Sequence, residues 1–237
     1  MGGFFGAVSA NDCIQDVFFG TDYHSHLGTR RGGMTSFSPE LGFQRNIHSI
    51  ENSPFRTKFE KDVDKMRGNI CIGCISDTDP QPILLRSKLG LYAVCNIGII
   101  NNDEELCSEL LSKSSASFET MSSGKVNSSS LIGALIAQKD NFVDGIRNAQ
   151  EKIKGTVSLM VLTEDGIIAA RDKAGKLPII VGKRDDGYCY SFESFAFQKL
   201  GTKTICDQSC HSFLQDPITH NRLEHFVSNL TIQFMLT

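Results

Sequence analysis

Cysteine is the residue type in this 237-residue chain with the widest range of chemistry, and eight cysteines are present. Cys71 and Cys74 form a Cys-x-x-Cys pair, and Cys206 and Cys210 form a Cys-x-x-x-Cys pair. Two such pairs can supply four thiolate ligands to a zinc ion. Cys71, however, stands between two isoleucines, where cysteine packs as a small hydrophobic residue. We therefore expect reduced, packed thiols and neither a metal nor a cofactor.

Two further pairs of polar residues are candidates for chemistry. His24 and His26 are two residues apart, and on a strand their side chains would share a face that could bind a metal, although two ligands make a weak site. Arg171 and Asp172 precede a turn, where an arginine and a carboxylate most simply form a structural ion pair that caps a hairpin. Both pairs favour a structural interpretation over a catalytic one.

Charge and hydropathy argue against two broad classes of function. The net charge is −3, from 24 basic and 27 acidic residues that are well mixed, so the basic stripe of a nucleic-acid-binding protein is lacking. No apolar run reaches the roughly 18 residues of a membrane helix, and the start of the chain lacks the pattern of a secretory signal. We expect a cytoplasmic protein that binds neither nucleic acid nor membrane, and we leave a homo-oligomer open.

Hydrophobic periodicity predicts most of the elements that would position a site. The apolar run from Phe4 to Ser9 predicts a buried strand, and Asn11 or Asp12 can cap a helix that runs to about Thr21. Further strands are predicted at 69–75, 91–100, 156–162, 167–171, 178–182 and 188–192, and further helices at 103–111, 128–138, 141–154 and 194–200. Strands joined by hairpins, rather than alternating with helices, indicate antiparallel sheets in an α+β protein.

Other stretches give a weaker pattern. The glycines of 28–42 predict a turn-rich connection, residues 44–60 have mixed polarity, and the serine-rich stretch 112–125 predicts a mobile loop. In the tail, the apolar residues of 223–234 fit either a final strand or a helix. These segments are left open.

Five segments, taken in order, resemble the glutaminase domain of amidophosphoribosyltransferases, which are class II glutamine amidotransferases. The segments are Met1–Gly6, Asp16–Gly33, Gly73–Pro82, Asn96–Leu106 and Lys154–Ser194. The resemblance implies a four-layer αββα sandwich of two antiparallel sheets, the fold of N-terminal nucleophile hydrolases. It extends over 1–207 of what we interpret as a single domain spanning 1–237, with a divergent tail at 208–237.

The same resemblance implies that the groups needed for glutamine hydrolysis have been replaced. The family's nucleophilic cysteine, whose free amine assists its attack, falls on Gly2, and the arginine that binds the substrate carboxylate falls on Ser76. The asparagine that stabilises the oxyanion falls on Ile97, while Gly98 retains a backbone amide for that role. The aspartate that meets the substrate ammonium falls on Ser128. No catalytic residue is therefore expected.

What remains is a former glutamine pocket. The resemblance places it at Ser76, Asp77, Thr78, Asn96 and Ser128. We predict an amidotransferase-like pseudoenzyme that has lost glutaminase activity and acts by binding a protein partner or a small ligand. A pocket lined by Ser76, Ile97 and Ser128 carries less charge than the family's, which suits a neutral or apolar ligand.

Two other interpretations stay open. The chain would be an active amidotransferase, converting glutamine to glutamate and ammonia, if Gly2 had simply replaced its nucleophilic cysteine. A hydrolase could instead use Cys74 or Cys95, because both lie in segments that line the family's pocket. Such a thiol needs a nearby cation or helix N-terminus to lower its pKa.

Overall fold

The computed structural model describes residues 2–113, 118–121, 124–172, 175–207 and 231–235, which form two antiparallel sheets and six α-helices. The helices are α1 (Ile14–Asp22), α2 (Phe55–Val63), α3 (Asp103–Lys113), α4 (Ser128–Ile136), α5 (Phe142–Lys152) and α6 (Phe195–Leu200). The strands are β1 (Gly2–Ser9), β2 (Arg31–Ser38), β3 (Gly42–Ser49), β4 (Ile70–Ser76), β5 (Ile83–Ser87), β6 (Gly90–Ile100), β7 (Gly155–Leu162), β8 (Gly166–Ala170), β9 (Ile180–Arg184), β10 (Gly187–Ser191), β11 (Lys203–Asp207) and β12 (Thr231–Met235).

The strands divide between a seven-stranded and a five-stranded sheet. The first has the order β11-β9-β10-β1-β4-β2-β3, and the second has the order β12-β8-β7-β6-β5. In the first sheet, β1 lies between β4 and β10, and its first residue, Gly2, pairs with Ser76 at the end of β4. The predicted α+β class with two antiparallel sheets is confirmed.

Three apolar clusters separate the layers. The first packs α1, α2 and α6 on the seven-stranded sheet and includes Phe5, Val17 and Phe55. The second lies between the sheets and includes Phe4 and Cys95, and the third covers the other face of the five-stranded sheet with residues from α3, α4 and α5. Because Phe4 and Phe5 are consecutive on β1, their side chains enter different clusters, as the two-residue period of a strand requires. Three cores between four layers give the αββα arrangement.

The glycine-rich stretch 28–42 is where the sequence prediction was wrong, because it contains the regular strand β2. Gly32 and Gly33 lie in that strand at points of close approach. A Cβ on Gly33 would lie 1.9 Å from the carbonyl oxygen of Gln81, and one on Gly32 would lie 2.6 Å from the Phe55 ring. The glycines therefore serve tight packing on a strand rather than a change of chain direction.

Other elements were missed or displaced. Residues 44–60, which gave no clear pattern, contain most of β3 and the start of α2, and the short strand β5 was not predicted. The strand expected at 178–182 begins two residues later, at Ile180. In the tail, residues 231–235 form a strand paired with β8, whereas residues 208–230, Cys210 among them, and parts of 112–125 lie outside the described residues.

The Cys-x-x-Cys pair does not form half of a metal site. Cys71 belongs to the cluster beneath the helices, and Cys74 belongs to the cluster between the sheets. Residues three apart on a strand point to opposite faces, so these two thiols cannot meet at one ion. Among the described residues, no group of three potential ligands is placed to hold a metal.

The helices of the described part of the chain are too short or too polar to cross a lipid bilayer.

Candidate functional site

The start of β1 forms the floor of the candidate site. Gly2 is buried and pairs with Ser76. A Cβ built on Gly2 would lie 2.2 Å from the carbonyl oxygen of Ile75 and 3.3 Å from the Cα of Ser76. Both are backbone atoms of β4, so neither can rotate away as the end of a flexible side chain would. Position 2 is where the family resemblance places the nucleophile. With this backbone, it has no room for a side chain.

Ser76 is the last residue of β4, and the turn that follows it forms one side of the site. Its hydroxyl accepts hydrogen bonds from the backbone amides of Thr78 and Asp79, both at 3.2 Å, and lies 3.3 Å from the Thr78 hydroxyl. A serine that accepts two amides in this way closes a local turn. The Ser76 hydroxyl is thus occupied by hydrogen bonds to the backbone of the turn.

Asp77 projects away from this turn. Its carboxylate accepts the Thr29 amide at 2.7 Å. Partial burial raises the pKa of Asp77, but the opposing effects, of which the Thr29 hydrogen bond is the largest and the charge of Arg30 a smaller one, hold it below its ordinary value. Asp77 therefore stays ionised at neutral pH and ties the loop before β2 to the end of β4.

Asp79 links the β4 turn to the first turn of α4. Its carboxylate accepts the backbone amide of Ser128 at 2.9 Å and also contacts the Ser128 hydroxyl. A carboxylate at the N-terminus of a helix is favoured, because the unpaired amides there carry partial positive charge. The Ser128 hydroxyl is also 3.1 Å from the side-chain oxygen of Asn96. Three predicted pocket residues, Ser76, Asn96 and Ser128, are therefore brought together through Asp79.

A second set of hydrogen bonds completes this network. The side chain of Gln81 pairs with the backbone of Asn96, accepting its amide at 2.8 Å and donating to its carbonyl at 2.9 Å. The Ser129 hydroxyl lies 2.7 Å from both the Gln81 and the Asn96 side-chain oxygens. Asn127 caps α4 by accepting the amides of Ser129 and Ser130, and it donates to the Pro80 carbonyl. These polar groups are buried and satisfy one another.

Ile97 and Gly98 follow Asn96 on β6. Ile97 is 4% exposed and packs in the cluster between the sheets, so it supplies no donor to the site. Gly98 has a φ of +135°, and a Cβ there would lie 1.8 Å from the carbonyl oxygen of Thr156. The backbone alone requires glycine at this position.

His24 lies beneath the start of β1 and does not share a face with His26. His24 precedes the 3-10 turn Ser25–Leu27 and His26 lies within it, so neither histidine is on a strand. His24 is 1% exposed, with Nδ1 2.7 Å from the carbonyl oxygen of Gly20 and Nε2 3.2 Å from the Ser191 hydroxyl. Burial lowers the pKa of His24 to about 4, against the opposing effect of the Gly20 carbonyl. His26 instead pairs with Glu193 at the surface, at 2.9 Å.

Comparison with known proteins identifies the family. Residues 66–198, more than half of the chain, match the model of a glutamine amidotransferase domain. The chain belongs to the glutamine amidotransferase domain family. The matched segment contains the β4 turn, Asn96, the start of α4 and the β7–β10 hairpins, so the polar network described above lies within it.

Curated relatives of this amidotransferase domain are amidophosphoribosyltransferases. The protein of Archaeoglobus fulgidus is 28% identical over 190 residues, covering 77% of this chain and 40% of its own length. That of Methanocaldococcus jannaschii is 25% identical over 219 residues, covering 87% of this chain and 45% of its own length. The chain thus spans less than half the length of these relatives.

A solved structure shares the fold. The glutamine phosphoribosylpyrophosphate amidotransferase of Bacillus subtilis, complexed with ADP and GMP, superposes with a TM-score of 0.76 at 22% identity. The match covers 86% of this chain and 45% of that one. The predicted αββα fold of N-terminal nucleophile hydrolases is confirmed.

The two thiols considered as replacement nucleophiles lie inside the amidotransferase fold. Cys74 and Cys95 are 1% and 0% exposed and face each other between the sheets. The Cys74 thiol donates to the Gln81 carbonyl at 3.2 Å, and burial, together with its hydrogen bond to Cys95, raises its pKa well above the ordinary value. A reactive thiol needs the opposite shift.

Sequence reasoning did not single out Asp79, Gln81 or Ser129 in this amidotransferase domain. Asp79 bonds to a helix 49 residues further along the chain, and Gln81 bonds to a strand 15 residues away. No local pattern marks such contacts. The only available signal was Asn127 before a serine-rich apolar segment, which is typical of a helix N-cap.

Proposed function

We propose that this amidotransferase domain does not hydrolyse glutamine and acts by binding a protein partner or a small ligand. The observation that carries the proposal is the contact of Gly2 with β4. Because a Cβ at this position would lie 2.2 Å from the Ile75 carbonyl oxygen, no side-chain nucleophile fits at the start of β1. Glutamine hydrolysis by this family's route begins with attack by such a group.

The polar network also supports the proposal, because its charged and polar groups are not available to bind glutamine. Binding an amino acid requires a cation for its carboxylate and an anion for its ammonium. Ser76 provides no positive charge, and its hydroxyl is used by the turn it closes. Asp79 is an anion near Ser128, but its carboxylate is taken by the first turn of α4. Glutamine would have to break these contacts in order to dock.

Neither rival activity gains support from the described residues. An active site based on Cys74 or Cys95 would need an accessible thiolate, whereas both thiols are buried between the sheets. An amidotransferase that lacks only its cysteine would keep space at position 2, where the β4 backbone stands instead. A binding role requires neither an accessible thiolate nor a nucleophile at position 2.

A calorimetric titration with L-glutamine tests the proposal. We expect no saturable heat up to about 10 mM, because 1 mM affinity already requires about 4 kcal/mol of net interaction. L-Glutamate, L-asparagine and acetamide serve as parallel titrants that separate the amide from the charged ends. Saturable glutamine binding that is lost with Ser76→Ala or Ser128→Ala would contradict the proposal, since it would show a working glutamine pocket.

A further inference from the structure

Arg171, the residue after β8, has a largely buried side chain whose Nε finds no partner among the described residues. The residue is 4% exposed. Its backbone carbonyl accepts the Gln150 side chain at 2.6 Å, but across the described residues no hydrogen bond or ion pair reaches the guanidinium, and its Nε is fully buried. A guanidinium stays charged at all physiological pH values and presents five N–H donors. Burying the Nε–H donor without an acceptor is unfavourable, so the arrangement indicates an acceptor that the described residues do not supply.

The adjacent carboxylate does not fill this role. Asp172 was expected to pair with Arg171, and it does cap the turn, but through the backbone. Its carboxylate accepts the amides of Lys176 at 3.0 Å and Leu177 at 3.1 Å. In the described part of the chain no ion pair joins it to Arg171. Within the described residues, the Nε donor of Arg171 is therefore left without an acceptor.

Arg171 lies beside the candidate site described above. It follows Ala170, which pairs with Leu159 on β7, and the preceding residue of β7, Ser158, pairs with Ile97 on β6. Neighbouring strands are about 4.8 Å apart, so Arg171 and Ile97 are separated by about two strand spacings. Arg171 thus directly follows a strand of the five-stranded sheet and lies two strands from Ile97, the residue that follows Asn96 of the polar network.

We propose that the Arg171 guanidinium binds an oxyanion, the carboxylate or phosphate group of a small ligand. The planar guanidinium matches both groups, because it can donate two parallel N–H bonds to two oxygens. The proposal deepens the ligand-binding role proposed above by adding a charged group to the ligand, but it does not depend on whether glutamine is hydrolysed. Neither Ser76 nor Asp79 takes part in it.

Anion titrations of the whole chain test this site. Sodium phosphate and sodium acetate are added in separate arms, at an ionic strength held constant with sodium chloride, while thermal unfolding is followed. At several times the dissociation constant, the effective anion raises the Tm by about 2–4 °C. The arm that responds distinguishes a phosphate group from a carboxylate. No rise in either arm overturns the proposal and leaves the glutamine titration unaffected.

Two arginine variants assign the effect to this residue. Arg171→Met is expected to raise the apparent dissociation constant at least tenfold, whereas Arg86→Met, at an exposed arginine, leaves it unchanged. Equal anion binding by wild type and Arg171→Met would overturn the proposal. The ¹⁵Nε resonance of Arg171 gives a readout independent of stability, since it shifts when an anion binds the guanidinium.

Two glycine variants provide a second test if Arg171→Met does not fold. Gly175 and Gly201 have nearly equal φ angles of +64° and +66°. A Cβ on Gly175 would lie 1.8 Å from Nη2 of Arg171, whereas one on Gly201 meets nothing within 4 Å. Both alanine variants carry the same backbone strain, but only Gly175→Ala displaces the guanidinium. Anion binding is expected to weaken in Gly175→Ala alone, and equal affinity in the two variants would overturn the proposal.

Discussion

Gly2 shows how close packing of a neighbouring strand restricts the side chain that a position can carry. The residue pairs with Ser76, and a Cβ built on it would meet the carbonyl group of Ile75. A cysteine at this position needs both a side chain and space around its sulfur for a substrate. Here the backbone of β4 occupies the space that a side chain at position 2 would need.

Substitution at Gly2 tests this interpretation directly. We expect Gly2→Ala and Gly2→Cys to lower the free energy of unfolding by similar amounts, about 1–3 kcal/mol, because each introduces the same clashing Cβ into a packed position. Urea denaturation measures the change. The alanine variant is the matched control, since it adds the Cβ without the thiol. A Gly2→Cys variant as stable as wild type would show that the strand has room for the nucleophile.

His24 shows a residue whose role could not be read from its spacing. The pattern of two histidines two residues apart allowed a metal site only if the segment were a strand, whereas His26 lies within the 3-10 turn Ser25–Leu27 and His24 directly precedes it. His24 turns inward to Gly20 and Ser191, whereas His26 turns outward to Glu193. Which of two neighbouring histidines is buried depends on tertiary packing, and the sequence does not contain that information locally.

At the scale of elements, α4 is positioned by a carboxylate from another part of the chain. Asp79 is 5% exposed and accepts the Ser128 amide, the first of the helix. Asn127 accepts the next two amides, from Ser129 and Ser130. Together they satisfy three of the donors that a helix leaves unpaired at its N-terminus. The network thus anchors α4 to the end of β4.

Removing the Asp79 carboxylate should loosen this anchor. We expect Asp79→Ala to cost about 1–3 kcal/mol of unfolding free energy, because the part-buried Ser128 amide loses its acceptor and its hydroxyl keeps only Asn96. Asp79→Asn should cost less, since an amide oxygen can still accept one bond. Chemical denaturation of both variants measures the difference, with the exposed Asp140→Ala as a control that should change little. An Asp79→Ala variant as stable as wild type would show that the network does not anchor the helix.

Comparison of the predicted and observed elements shows which of them the sequence pattern can predict. β1, α1 and β6 were predicted because their apolar residues recur with a clear period and polar caps or glycines bound them. β2 was missed because its glycines, which permit close contact with Gln81 and Phe55, also mark turns. β3 is an edge strand whose residues are mostly half-buried, so its polarity does not alternate clearly. The pocket positions came from resemblance to a family, whereas the bonds among them required the fold.

At the scale of the whole molecule, burial of His24 links stability to pH. The folded pKa is about 4, against an ordinary value of 6.5, so the unfolded chain binds a proton between these values and the folded chain does not. Stability therefore falls as pH decreases from about 6.5 to 4 and levels off below, by roughly 3 kcal/mol from this group alone. Above pH 6.5 the histidine is neutral in both states and contributes no slope.

Unfolding free energies measured from pH 7.5 to 4 test this linkage. His24→Gln is expected to remove most of the slope between pH 6.5 and 4, although it lowers stability at neutral pH by disturbing a packed site. His26→Gln is the matched control, because its side chain lies at the surface, and it should keep the slope. An unchanged slope in His24→Gln would show that other groups dominate the pH dependence.

The four layers also explain why the fold of this domain does not depend on a catalytic group at the start of β1. The apolar clusters that hold the layers together include Phe4, Phe5 and Ile97, and none of these needs a catalytic group at Gly2. Stability in such a fold comes mainly from burial of apolar surface. The polar residues of the site, Ser76, Asp79, Asn96 and Ser128, belong to none of the three apolar clusters, so they can change while the cores persist.

Ammonia release from L-glutamine is the most direct test of the central claim that this site has lost its chemistry. The wild-type chain and Gly2→Cys, each prepared with Met1 removed, are incubated with glutamine, and ammonia is followed by a coupled assay. The account predicts no release above the protein-free rate from either protein. Glutamine turnover by the wild type, or turnover by Gly2→Cys that a thiol-alkylating reagent abolishes, would contradict it.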